Sequence, residues 1–435
     1  MSGAVAALKP AEILGGMLEP EARRAVVGYT KAQIRDAFGH DPWLCNYFVN
    51  LWECETGADV LESYPVDVSL PIADLCNARC TFCVSWLTGS SFLKLEDVER
   101  YAEPLRFART IGIQGHGEPL ANPQIGAVLN RIGELIDPRT RSYIITNGIF
   151  LKRWFPELKR AKVAAFNFSV NATTPEVHNR VMGLGPDGFD TAMAAVNLAL
   201  AYRNEEDRSA QVTISTVINR DNIQQLADFI RMGNALGVDA IYLRSLLPIQ
   251  HLPPGLNYHE LPAILSPNFE AYVAEARAEM QRSKVRINAQ PETWGQDAVP
   301  AALRTIIQKD PPPTISREDA QHDPRLRQSW RRSRSEASGR GERIGPIPDQ
   351  NSDNPYNRSA PFPCRFVYRA LISSATNFQI VPCCYITDVP GHNIVIFDGS
   401  RPFMDYWNSE AFVALRRSLR QGPLMAPCRR CQTQG

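Results

Sequence analysis

Cys76, Cys80 and Cys83 lie on one short loop, Cys76-Asn77-Ala78-Arg79-Cys80-Thr81-Phe82-Cys83. Three thiolates so placed can wrap three irons of a [4Fe-4S] cube, whereas four would satisfy all its irons. The deficit leaves one iron with an open coordination position, which separates a catalytic metal site from a closed structural one. A zinc loop and incidental cysteines are the alternatives. Zinc would ask for a fourth Cys or His nearby, and none follows Cys83 until His116. A second constellation comprises Cys364, then Pro382-Cys383-Cys384, then Pro427-Cys428-Arg429-Arg430-Cys431. The closing Cys-x-x-Cys can seat two ligands on one metal centre, but the wide separations mean that the fold must assemble this site.

These residues need elements to hold them. Val66, Val68 and Leu70 alternate with polar residues between Pro65 and Pro71, as a short strand would. Further strand-like runs follow at 111–114, 143–146, 164–170, 212–218 and 240–243, which makes six. Between them lie helical patterns, the clearest being Ile223, Leu226, Ala227, Ile230, Ala235 and Leu236, stopping at Gly237. Alternation of strand and helix predicts βα units and a parallel sheet, with the loops after the strands gathered on one edge. Ligand chemistry should collect there. The cysteine loop, Gly115-His116-Gly117-Glu118-Pro119, Thr146-Asn147-Gly148 and Ser169-Val170-Asn171 each follow or close a strand.

Residues 1–64 read as an N-terminal extension with amphipathic pieces, 65–290 as the α/β core, 291–360 as an irregular insertion rich in Pro, Arg and Ser, and 361–435 as a compact cysteine-bearing segment. The 435 residues are 44% hydrophobic, enough for a sizeable core. Lys and Arg total 47 against 46 Asp and Glu, so charge gives no reason to expect nucleic acid or an anionic membrane as partner. A small molecule or a peptide is the expectation. No stretch has the length and apolarity of a membrane span, and the N-terminus lacks the order of a secretory signal, which predicts a cytoplasmic protein. The ten cysteines cluster, which in a reducing compartment favours metal ligation over disulfides. Cys45 and Cys54 stand apart and read as ordinary buried cysteines.

The cysteine loop resembles that of the radical S-adenosylmethionine (SAM) superfamily in its Cys-x3-Cys-x2-Cys spacing, with the aromatic Phe82 before the last cysteine. The resemblance runs over residues 64 to about 250. It implies a partial (β/α)6, TIM-like barrel in which Cys76, Cys80 and Cys83 hold a [4Fe-4S] cluster whose open iron is chelated by SAM. One electron, from a donor such as flavodoxin or ferredoxin, then cleaves SAM to a 5′-deoxyadenosyl radical that takes a hydrogen atom from substrate. Gly115, Gly117, Glu118 and Pro119 are similar to the family's Gly-Gly-Glu-Pro segment, which meets the methionyl amine, although His116 here separates the glycines. Asn147 looks like the Asn of the family's Thr-Asn-Gly. Ser169, Asn171, His178, Arg180 and Gly183 resemble the segment that binds the ribose and carboxylate of SAM, with Asn171 where many relatives have Asp. An amide can hydrogen-bond a ribose hydroxyl, and the Arg180 fork suits a carboxylate; a helix-surface arginine is its other reading. Asn219 and Arg244 face the same edge as further candidates.

The C-terminal cysteines resemble the auxiliary-cluster region of the SPASM and twitch subfamilies, and the run from Tyr406 through Arg416 looks like the helix before their last ligands. A full SPASM domain usually brings seven cysteines and this segment has five, which implies one auxiliary [4Fe-4S] cluster on Cys364, Cys383, Cys428 and Cys431. Cys384 is an alternate ligand or a buried neighbour, and zinc on the same four is the other reading. Phe378 stands where the subfamily favours Gly. The resemblance implies oxidation of a sugar-like or aminocyclitol-like small molecule, or modification of a peptide. A non-enzymatic iron-sulfur or zinc scaffold is the competing reading.

Overall fold

A computed structural model describes residues 19–83, 91–245, 263, 266–289, 364–373, 379–381, 395–424 and 428. Among the described residues ten strands form one sheet: β1 (Asp67–Pro71), β2 (Thr110–Gln114), β3 (Arg141–Thr146), β4 (Val163–Ser169), β5 (Gln211–Ile218), β6 (Ala240–Ser245), β7 (Arg286–Ala289), β8 (Ala370–Ser373), β9 (Gln379–Val381) and β10 (Val395–Ile396). Their order is β10-β9-β8-β1-β2-β3-β4-β5-β6-β7. From β8 through β7 every neighbouring pair is parallel, while β9 and β10 add antiparallel at the β8 end. The six expected strands are β1 to β6, and the α/β core is the expected parallel barrel segment. β7 and β8 extend it at both ends.

The sheet has two unlike faces, because successive side chains alternate across it. Val68, Leu70, Ile111, Ile113, Ile144, Phe166, Phe168, Val212, Ile214, Ile241 and Leu243 are buried, with helix residues such as Leu129, Ile132, Leu158, Val196 and Ile230 in the same core. The crossover helices Ile125–Leu135, Leu151–Arg160, Gly188–Glu205 and Leu226–Leu236 therefore lie on this one face. The last ends at Gly237, whose φ of +67° is the left-handed conformation that suits glycine after a helix.

The described part of the N-terminal segment carries helices Glu19–Val26, Lys31–Phe38 and Pro42–Thr56. The third starts well: Asp41 caps the Leu44 amide and Pro42 occupies the first turn. It is bolted down by Trp43 Nε1 to the Ala108 carbonyl at 2.9 Å and by Asn50 Nδ2 to the Tyr368 carbonyl at 2.7 Å. This helix thus links the entry to β2 with the C-terminal segment. That segment is itself joined to the core, since β8 runs parallel to β1 in the register Asp67↔Ala370. Helices Phe403–Trp407 and Glu410–Gln421 follow, where the sequence suggested one helix. Arg416 is fully buried there and donates to the carbonyls of Val367 and Trp407 at 3.0 and 2.9 Å; burial lowers its pKa to about 10. No helix among the described residues is long and apolar enough to cross a membrane.

Candidate metal and cofactor site

Parallel strands deliver the chemistry-bearing segments to one edge. The chain leaving β1 pairs with the turn after β2: Gly117 N donates to the Ala73 carbonyl at 2.9 Å and Glu118 N to the Leu75 carbonyl at 3.0 Å. A Cβ on Gly115 would lie 2.1 Å from Ala73 O, and one on Gly117 2.1 Å from Leu75 O. Both glycines are demanded by this backbone-to-backbone approach. The partner they admit is the root of the cysteine loop.

Glu118 sits at the centre of the edge, 2% exposed. Its carboxylate accepts from Thr146 Oγ1 at 2.7 Å, from the Asn147 amide at 2.8 Å and from the Leu120 amide at 3.2 Å. Burial raises its pKa to about 7 against the pull of these bonds. Asn147 then donates through Nδ2 to Asn77 Oδ1 at 2.9 Å, inside the cysteine loop. Glu118 and Asn147 therefore tie the loops after β1, β2 and β3 into one network.

The other flank of the cysteine loop rests on the helix Pro175–Met182. Arg79 N donates to the Met182 carbonyl at 2.8 Å and Thr81 N to the Val181 carbonyl at 2.9 Å. The last carbonyls of a helix lack partners within it, and here the loop supplies them. Gly183 ends the helix at φ +58°, and a Cβ there would lie 2.7 Å from Arg79 O. Met182 Sδ is 3.4 Å from Cys80 Sγ and 2.8 Å from Asn171 Nδ2. Only a glycine following a helical pattern hints at this clamp in the sequence, because backbone bonds carry no side-chain signature.

Burial pushes the Cys76 thiol up to about 12 and raises Cys80 as well, with Cys83 adding to both. Among the described residues no three His, Cys, Asp or Glu side chains converge closely enough to hold a single ion. Ligands that each take a different iron of a cube do not need to converge so closely. A half-buried loop of soft thiols, braced on both flanks, fits such a cluster.

The remaining candidates divide. Pro119 is buried and starts the turn Pro119–Ala121, and Gly115 is exposed. Phe82 and Ser169 are half-buried on the edge. Asn171 is 3% exposed, and its Oδ1 accepts from the Val217 amide at 2.8 Å, so its amide is engaged within the fold. Arg180 is exposed on its helix. Asn219 is fully buried and organises the turn after β5 by accepting from the Asp221 amide at 2.9 Å. Arg244 stacks on Tyr242, 4.7 Å from the ring centroid. Two residues that the sequence reading did not single out for the site also belong there: Asp74, 3.6 Å from His116, and Met182. His178 is fully buried with Nε2 unpartnered among the described residues. Cys364 and Cys428 are both buried; Phe378, Cys383, Cys384 and Cys431 lie outside the described residues.

Comparison with known proteins bears on this edge. Residues 70–233 match the Radical SAM superfamily. The chain is 26% identical over 207 residues to the FeMo cofactor biosynthesis protein NifB of Methanocaldococcus infernus, covering 42% of this chain and 66% of that protein. It is 27% identical over 189 residues to a probable GTP 3′,8-cyclase of Saccharolobus islandicus, covering 42% of this chain and 58% of that one. The chain thus spans less than two thirds of the length of either relative. In structure it is similar to SuiB of Streptococcus suis bound to S-adenosylmethionine, with a TM-score of 0.50 at 14% identity, covering 90% of this chain and 80% of the other. At that identity the likeness concerns the fold, and it reaches beyond the core.

Proposed function

From the premise that the chain belongs to the radical SAM superfamily, whose members use a [4Fe-4S] cluster and SAM, we propose that it is a hydrogen-abstracting enzyme acting at the edge just described. The observation that carries this reading is the bracing of the cysteine loop by Gly115, Gly117, Glu118 and Asn147 on one side and the helix Pro175–Met182 on the other. Cys76, Cys80 and Cys83 would hold the cluster, and Phe82, Gly115, Gly117, Ser169 and Arg180 would surround SAM. When bound, cluster and cofactor together supply a carbon radical that takes a hydrogen atom from substrate.

The chain's own groups position this chemistry. Glu118 orders the loops through hydrogen bonds whose donors are fixed before any ligand arrives, so little reorganisation is needed. Asn171 supports the edge from below through Met182. Cys364, Cys383, Cys428 and Cys431 would hold an auxiliary cluster as acceptor of the electron left on substrate, the proton going to solvent. The electron for SAM cleavage comes from a carrier such as flavodoxin or ferredoxin. The substrate is a sugar-like small molecule or a peptide, and the protein is cytoplasmic. Incubating the reconstituted, reduced protein with SAM tests the reading: 5′-deoxyadenosine and methionine in equal amounts are expected, and neither product in an iron-loaded sample would refute it and favour a scaffold.

A further inference from the structure

The face of the sheet turned away from the crossover helices carries a second kind of information. Parallel register places Ser69, Gly112 and Tyr143 side by side, then Ile145, Asn167 and Thr213, then Ser169, Ser215, Tyr242 and Asn288, and last Val217 and Arg244. Tyr143 lies across this face over Gly112, since a Cβ there would meet its hydroxyl at 2.5 Å. While the opposite face is buried from β1 to β6, Gln114, Tyr143, Asn167, Ser215, Tyr242 and Arg244 are all half-exposed. A polar, partly open sheet face at the carboxyl ends of parallel strands is where such folds take ligands.

Its charge is one-sided. From the Ser69 row upward the described positions on this face of β1 to β7 offer hydroxyl, phenol and amide groups and no carboxylate, and the charges are Arg244 and Arg286. The Arg244 guanidinium carbon lies over the Tyr242 ring, 4.7 Å from its centroid, a cation–π contact that helps to position the fork for an oxyanion. It has no carboxylate partner among the described residues. Asn167 Oδ1 is also without a partner there, an acceptor suited to a hydroxyl or amide donor.

We propose that Arg244, on the face where such folds take their ligands, anchors an oxyanion of the substrate, a carboxylate or a phosphate, with the neighbouring amides and hydroxyls reading its polar body. The inference rests on the proposed function in one respect, that the reacting carbon must lie within reach of the edge carrying the cysteine loop. A cationic substrate is disfavoured, because the described positions from the Ser69 row upward offer no carboxylate to neutralise it.

The test is calorimetric titration of the reconstituted full chain with inorganic phosphate and, separately, malonate. Saturable binding of at least one is expected, and which one distinguishes phosphate from carboxylate. Arg244→Gln should weaken it about tenfold or more, the scale of losing a charge-assisted bond, and Arg244→Lys should restore part. Should Arg244→Gln fail to fold, Ser215→Asp, which sets a carboxylate beside Tyr242, carries the same test. Equal affinity in wild type and variants, no saturable binding to wild type, or a loss of SAM affinity with oxyanion affinity unchanged would each overturn the proposal. Iron content of the same samples separates the two readings. Iron-loaded protein that ignores both anions removes the Arg244 anchor alone, and iron-free protein that binds them removes the cluster alone.

Discussion

The two cysteine sets are held in opposite ways. Cys76, Cys80 and Cys83 share one loop braced by short-range neighbours at the strand ends, with Glu118, Asn147 and the end of the helix Pro175–Met182 all bonded to its backbone or side chains. The C-terminal cysteines are spread along the chain, and the two that are described, Cys364 and Cys428, are buried beside helices locked by Arg416. The first arrangement would leave a metal partly open; the second suits a closed site. An open iron is useful where a ligand must come and go, and a closed one where only electrons pass.

The largest expected effect breaks this comparison outright. Replacing Cys76, Cys80 and Cys83 together by Ala should remove about half of the iron and sulfide, about four of eight atoms for two cubes, and leave the rest; loss of all iron would mean that the two sites depend on one another. Next, Arg416→Met strips hydrogen bonds from the carbonyls of Val367 and Trp407 and should cost about 3 kcal/mol. Chemical denaturation should show this, with the auxiliary iron released before that of the loop. A smaller effect sharpens the account of the clamp. Gly183 and Gly237 both have positive φ, yet a Cβ at Gly183 meets Arg79 O at 2.7 Å while nothing lies within 4 Å of one at Gly237. Gly237→Ala should cost about 1 kcal/mol for the backbone alone, and Gly183→Ala about 2–3 kcal/mol with reduced iron retention in the loop. Equal costs would show that the helix end does not bear on the loop. The smallest effect is one of pH. Burial lowers the pKa of His178 below 6.5, so the unfolded chain takes up its proton first, and stability should fall as pH drops through 6.5. A thermal-melt series from pH 7.5 to 5 should show a shallower acid limb in His178→Asn.

Much of the edge was legible because strand alternation is a local signal. β1 to β6 lie within a few residues of the runs read from apolar spacing, and parallel connectivity alone places their trailing loops together. β7 escaped notice because Arg286–Ala289 is short and only half-buried, so its alternation is weak. β8 escaped because its pairing with β1 joins segments far apart in sequence, which no local pattern encodes. The glycine turn was readable as a place of close approach, although what approaches is the root of the cysteine loop. Asn171 was readable as a strand-end amide, but that its Oδ1 accepts from the Val217 amide depends on the pairing of β4 with β5. The seat of the loop on Met182 and Val181 runs through backbone groups that every residue possesses.

Openness of the loop cluster's fourth iron to SAM is what would set it apart from the C-terminal site. It is tested most directly by EPR of the reduced Cys364→Ser/Cys428→Ser variant, in which the loop cluster is expected to be the paramagnet, recorded with and without SAM. A [4Fe-4S]+ signal whose g-values shift when SAM is added is expected. A signal unchanged by saturating SAM would contradict it and place the loop among closed, structural clusters.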